Sequence, residues 1–305
     1  MHMSDGLVTA PVAVVSAVVA AGALAFAARH AARGERNNVA WVGMMAAFIF
    51  VAQMINVPII PGASGHILGA GLAVVALGVA PAMLAMAVVV VVQALFFHDG
   101  GITTLGANLL NMAVVAPLAA GCVLKLFGKT SHVSNFLAAT AGMFAAAGLC
   151  AVEITASGTL SVNIAPLFMG VHFLIALFEG IATALVAAAM ARHGAVTVEA
   201  PRGNRALAGI GLVLLLAAPL ACSWPDGLEY MLERQEAAVE ASSAIEAAEE
   251  EAQPWEWTGL AFFADYETEG VSGPLSTWLA ACAGVLMVFA VGWGAGRVMR
   301  RQNAA

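Results

Sequence analysis

Nine apolar stretches separated by short polar turns set the pattern of this chain. They run at roughly 7–28, 39–56, 66–80, 82–97, 102–124, 133–155, 166–191, 206–223 and 275–297. Most match the ~20 apolar residues that carry a helix across a bilayer. The third and fourth are shorter, and Gly78 and Pro81 separate them tightly. This predicts a helical hairpin that is tilted or partly re-entrant. A soluble fold would require buried helices of this length in series with almost no polar faces.

Composition agrees: 61% of residues are apolar and 10% charged, against about 25% charged in soluble domains, and mean hydropathy is +0.90. The predicted fold class is all-α, a polytopic helical membrane protein of about nine transmembrane helices, seven in a bundle and two in an accessory part. The first stretch has no Lys or Arg before it, so it is expected to be a span and not a signal peptide. Arg29, Arg33 and Arg36 follow the first span, Lys125 and Lys129 the fifth, Arg192, Arg202 and Arg205 the seventh, and Arg297, Arg300 and Arg301 the ninth. With nine crossings all lie on one side and only Arg234 on the other. By the positive-inside rule the N-terminus is expected outside and the C-terminus inside, in the cytoplasmic (inner) membrane. No basic patch beyond these signals supports nucleic-acid binding.

Thirteen of the nineteen carboxylates fall between Asp226 and Glu269. The acidity therefore describes one external loop, 224–273. The expected organisation is a membrane domain 1–195, a cytoplasmic linker 196–205 and a C-terminal part 206–305. Within the loop, the Glu/Ala-rich stretch 229–252 predicts a solvated helix, and Trp255-Glu256-Trp257 with Phe262-Phe263 suits an interfacial aromatic belt. Cys122, Cys150, Cys222 and Cys282 form no CxxC pair and are expected to be small packing residues.

The chain carries no GxxxxGK[ST], HExxH, GxSxG or kinase signature. It is therefore expected not to be an enzyme, and any uphill movement must be powered by a partner or an ion gradient. The residues with chemistry are histidines, amides and a few carboxylates. Met1-His2 opens the chain, and a bulky second residue predicts that Met1 is retained. The Met1 amine, the His2 backbone nitrogen and His2 Nδ1 are able to close two fused chelate rings in one plane, a geometry suited to Ni(II) or Cu(II). His66, in the glycine-flanked run Ser64-Gly65-His66, either presents an imidazole into the bundle from the start of the third span or is an interfacial histidine. Asn56 closes the second span. Asn108 and Asn111 share a face of the fifth, as interhelical hydrogen-bonding groups or as supports around a ligand. His98-Asp99-Gly100-Gly101 is an external turn. His172 and Glu179 lie near one face of the seventh span, where ionisable groups mark a transport route or an internal hydrogen bond.

Taken in order, Met1-His2-Met3-x-Asp5, Gln53-Met54-Ile55-Asn56, Ser64-Gly65-His66, Gln93 to Gly101 and Leu105-Gly106-Ala107-Asn108-x-x-Asn111-Met112 resemble the NikM/CbiM family. These are the metal-binding S components of energy-coupling factor (ECF) transporters for nickel and cobalt. Pro225-Asp226-Gly227-Leu228-Glu229 is similar to the signature of the PDGLE, or NikN-like, accessory domain. The resemblance implies a fusion of the two. It implies import of Ni(II), with Co(II) second, and partners consisting of a transmembrane coupling subunit and ABC ATPase subunits. It carries the metal ligands over to Met1, His2 and His66. Asn56, His98, Asp99, Asn108 and Asn111 are left as outer supports, with no catalytic residue and no resident cofactor. Met3-Ser4 departs from the Ile-Pro of many members, at side chains that are not ligands. A secondary nickel/cobalt permease, or a scaffold or sensor with a structural metal site, remains the alternative.

Overall fold

The computed structural model describes residues 1–33, 39–128, 131–192, 203–243 and 261–302. Ten α-helices and one small hairpin account for the ordered backbone among them. They are α1 (Ala10–Arg33), α2 (Val39–Gln53), β1 (Val57–Ile60), β2 (Ala63–Gly65), α3 (Ala70–Leu77), α4 (Val79–Phe97), α5 (Leu105–Phe127), α6 (His132–Ala156), α7 (Ala165–Arg192), α8 (Gly203–Ala217), α9 (Gly227–Ser243) and α10 (Pro274–Gln302). Six of them, α1, α4, α5, α6, α7 and α10, are long and apolar enough to cross a membrane, and α2 and α8 are shorter apolar helices. The chain is a multi-pass, all-α membrane protein. The linker residues 196–202, the stretch 244–252 and the aromatic run 255–257 lie outside the described residues.

The stretch 66–80 is not the helical span that its hydropathy predicts. The apolar run that ends α2 continues into Val57-Pro58-Ile59-Ile60, where Pro58 and the β-branched residues leave the helix for an extended strand. Pro61-Gly62, with Gly62 at φ +87°, turns the chain back as a two-stranded antiparallel hairpin pairing Val57 with Gly65 and Pro58 with Ser64. His66 therefore follows a strand, four residues before α3. Gly69 and Gly78, both at positive φ, bound α3 at eight residues, or about 12 Å. It is a short helix buried inside the bundle.

The first span also starts later than 7, at Ala10, because residues 1–9 form a separate non-helical segment. Two long helices widen into π-turns, at Gln93–Phe97 and at Leu109–Val115. Such widening recurs at functional positions, and here the first ends directly at the turn His98-Asp99. Side chains from α2, α4, α5, α6 and α7 fill the core, with Phe50, Phe97 and Phe168 among its largest fully buried members. The C-terminal helices pack on α2: Gly43 meets Phe289, and Gly284 admits the Phe50 ring. The four cysteines are unpaired.

Candidate metal site

The N-terminal segment is inserted into the protein. Met1, His2 and Met3 are buried, and backbone hydrogen bonds hold the third residue from both sides. The Met3 N–H donates to Asn108 Oδ1 at 2.9 Å, while the Met3 carbonyl accepts from Asn108 Nδ2 at 3.0 Å and from the Gly101 N–H at 2.8 Å. Asp5 locks the next turn by accepting from the Thr103 N–H at 2.7 Å and the Thr103 hydroxyl at 2.6 Å. A Cβ on Gly101 would collide with the Asp5 backbone nitrogen and carboxylate. That glycine is what lets the segment lie against the 98–101 turn.

Anchored in this way, residues 1 and 2 face His66. The His2 and His66 rings stack with centroids 5.6 Å apart and planes 23° apart. Together with Asn56, His98, Asp99 and Asp226 they line a cavity of about 420 Å³. Met1 and His66 also line a much smaller chamber with His172, of about 10 Å³. Of the predicted site residues, Met1, His2, His66, Asn56, His98 and Asp99 thus come together, and Asn108 stands beneath them as the Met3 clamp. Asn111 is not at the cavity. Its amide donates to Glu153 Oε2 at 2.6 Å, and Ser16 donates to the other carboxylate oxygen at 2.6 Å, joining α1, α5 and α6.

Two carboxylates hold the nitrogens that a chelate would use. The Met1 ammonium forms an ion pair with Asp226, and His2 Nδ1 lies 3.0 Å from Asp99 Oδ1. The His2 Nε2 is buried without a hydrogen-bond partner. Burial alone would lower the basicity of the amine. The charge and hydrogen bond of Asp226, with Asp99 behind, outweigh it and raise the amine pKa above its ordinary value. Burial works against ionisation of both carboxylates, but the ammonium beside Asp226 and the His2 ring beside Asp99 hold each well below the usual carboxylate range. His66 is pushed down to about 4 by burial, the neighbouring ammonium and His2, so it is neutral at physiological pH. Its Nδ1 lies 3.1 Å from the Ile67 carbonyl. A carbonyl only accepts, which puts the proton on Nδ1 and leaves the Nε2 lone pair to bind a metal.

The loop that carries His66 is fixed from two sides. Glu179 of α7 accepts from the Leu68 N–H at 2.7 Å and the Gly69 N–H at 2.9 Å, and Gln53 Nε2 donates to the Leu68 carbonyl at 2.7 Å. Glu179 is therefore a loop support. His172, seven residues earlier, bonds the Phe168 carbonyl through Nδ1 at 2.9 Å, and its Nε2 is unpartnered. In Glu179→Gln one of the two N–H groups loses its acceptor, at about 1–3 kcal/mol. The expected outcome is a melting temperature in detergent lower by a few degrees, which a thermal shift assay checks.

Two contributors, Tyr266 and Asp226, were not assigned to the site from the sequence. Tyr266 donates to Asp99, packs with its ring centroid 5.1 Å from that of Phe97, and is held there by left-handed backbone at Asp265 and Tyr266, φ 53° and 59°. Burial and the Asp99 charge raise its pKa well above the ordinary value, so it stays a donor. Asp226 caps α9, which the Asp-x-x-Glu spacing signals. Its reach to Met1 has no signal in the sequence. No cluster of three or more His, Cys, Asp or Glu suited to a metal occurs among the described residues. A metal here would need backbone nitrogen as well as side chains.

The fold is a polytopic helical bundle whose buried N-terminal segment brings His2 to His66 at a polar cavity. Residues 2–196 match the family described as "Cobalt uptake substrate-specific transmembrane region", and residues 204–301 match the PDGLE domain. The chain belongs to this cobalt-uptake transmembrane family and carries a PDGLE domain after it.

Its relatives include the "Putative fused nickel transport protein NikMN" of Archaeoglobus fulgidus. That protein is 32% identical over 98% of this chain and 99% of its own length. The fused nickel transport protein NikMN of Rhodobacter capsulatus is 39% identical over 50% of this chain and 46% of its own length. A crystal structure described as a transition metal transporter aligns with TM-score 0.57 and 27% identity, covering 63% of this chain and 93% of that one. A truncated transition metal transporter gives TM-score 0.57 and 30% identity over 63% of this chain and 99% of that one.

Proposed function

We propose that this chain is the substrate-binding membrane component of an ECF-type ABC transporter that imports Ni(II), with Co(II) as second substrate. The observation that carries the reading is the meeting of the buried N-terminus with His66, whose ring stacks on His2 and which lines a small chamber with Met1. In this reading the metal is held by the Met1 amine, the His2 backbone nitrogen, the His2 imidazole and His66. Residues 1–195 form the metal domain, 196–205 a cytoplasmic linker and 206–305 the accessory part, with the N-terminus and chamber on the outer face of the inner membrane. His2 Nδ1 is engaged by Asp99, so closing the six-membered chelate ring requires the imidazole to turn from that carboxylate to the metal. A plane of four nitrogens favours Ni(II) over Co(II). The relatives named for nickel and for cobalt transport support both metals as candidates.

The bundle offers no nucleotide-binding loop, so the energy is assigned to separate ATPase subunits, coupled through a transmembrane partner. Coexpression with those subunits tests the assignment. Uptake of radioactive nickel into cells is expected to fall to background when the partner ATPase is inactivated. Uptake that ignored the ATPase lesion would instead identify a secondary permease and overturn the ABC assignment.

A further inference from the structure

The PDGLE domain places one carboxylate, Asp226, in the wall of the small chamber beside Met1 and His66. At the start of α9, Asp226 Oδ1 accepts from the Leu228 N–H at 2.7 Å and the Glu229 N–H at 3.0 Å, and Glu229 Oε2 accepts from the Asp226 N–H at 2.9 Å. This is a complete capping box. It consumes one Asp226 oxygen and leaves Oδ2 to pair with the Met1 ammonium. The cap is bound to the hairpin that carries His66: the Ser64 N–H donates to the Pro225 carbonyl at 2.8 Å, and Ser64 Oγ donates to the Trp224 carbonyl at 2.7 Å. Gly227 lets this turn press onto α7, since a Cβ there would sit 3.0 Å from His172 Cε1. Asp226 and His66 thus move as one piece, although 160 residues separate them in the chain.

Asp226 is the ion-pair partner of the ammonium at this place. The N-terminus of α9 that it caps carries a dipole that repels a positive charge, and a buried charge that loses its partner is strongly disfavoured. The Met3 clamp ends one residue short of His2. Beyond it, His2–Asp99 and the buried Met1 side chain are the remaining ties.

We propose that Asp226 is a positioning residue of the metal site: the PDGLE domain, through the free oxygen of its helix cap, holds the Met1 amine inside the chamber beside His66. The accessory domain is then part of the binding site. Metal loading begins from an amine already in place, which it reaches by exchanging the carboxylate contact for the metal. This deepens the function proposed above and rests on it where metal affinity is concerned.

The test separates capping from positioning. Asn and Ser cap helices about as well as Asp, so Asp226→Asn and Asp226→Ser keep the α9 cap and remove the charged oxygen that faces the amine. Glu229→Gln keeps the capping box and does not touch the amine. Two readouts are taken on the purified full chain. One is the rate at which an amine-reactive ester labels the N-terminus, followed by mass spectrometry with no metal present. The other is the rate and affinity of Ni(II) binding in competition with a chelating dye.

Both Asp226 variants are expected to label about tenfold faster, and to bind Ni(II) about tenfold more slowly and weakly, with Glu229→Gln within twofold of wild type. Unchanged labelling in both Asp226 variants, or equal effects in Glu229→Gln, overturns the proposal. Failure of the metal reading is seen separately, as wild-type Ni(II) affinity that ignores two extra residues before Met1. The labelling result stands in either case.

Discussion

Two glycines inserted ahead of Met1 are expected to abolish high-affinity Ni(II) binding by the intact protein while leaving its helices in place. A single added residue would make His2 the third residue, whose ring, two amide nitrogens and a free amine chelate Ni(II) in their own right. The double insertion turns the Met1 amine into an amide and places the new amine beyond the chelate that the His2 backbone and ring would close. It must also fit where there is no room. Met1 is 4% exposed, and the chamber it shares with His66 and His172 holds about 10 Å³, the size of one water molecule. The extended segment has to back out past the Met3 clamp or leave the chamber altogether. Either way one ligand is lost outright, and the deficit should exceed the roughly 10–100-fold that losing an outer-shell partner costs. His66→Ala is expected to match it, because it removes the donor contributed by the hairpin. Isothermal titration of both variants beside wild type decides the matter. Wild-type affinity in the extended protein would remove the amine from the site, and the family-derived ligand set with it.

The helices were legible because nothing interrupts their apolar runs: α4, α5, α6 and α7 stand close to where hydropathy puts them. The hairpin was not, for the same reason. Val57 to Ile60 is as apolar as the helix before it, so hydropathy is blind to the change from helix to strand. Pro58, Pro61 and Gly62 were the readable signal, as residues that end helices and turn strands. Missing that turn misplaced the local structure around His66 but not its identity, since a histidine between glycines stands out whatever its backbone does.

At the chamber, Met1, His2 and His66 could be named from residue chemistry and resemblance. The carboxylates that occupy their nitrogens were harder. Asp99 is near in sequence to the turn already suspected. Asp226 lies 225 residues from Met1, and its local pattern announces only a helix cap. Asn111 shows the limit of helical spacing. Sharing a face with Asn108 brought it near the site in projection, but the partner that claims it, Glu153, belongs to a helix whose position the spacing does not reveal.

The proton balance of binding separates this backbone site from any built of side chains alone. A metal ligand must be deprotonated. The Met1 amine starts protonated, its pKa raised by Asp226 against the effect of burial, and the His2 amide releases its proton to solvent only when a metal takes its place. His66, at about 4, is already neutral above pH 5 and releases nothing. Asp99 and Asp226 are ionised throughout this range.

The sign follows: a raised amine pKa makes protons stronger competitors, so Ni(II) affinity falls as pH falls and rises as pH rises. Between pH 7 and 8 each metal displaces two backbone protons, and Kd is expected to drop about a hundredfold over that unit. Above the amine pKa only the amide proton remains to be displaced, and the slope should fall to about tenfold per unit. Calorimetric titration in buffers of different ionisation enthalpy counts the protons directly. A site made only of side chains has no amide proton to displace at the top of this range. A flat profile above the amine pKa would therefore exclude amide ligation, even if both histidines proved essential.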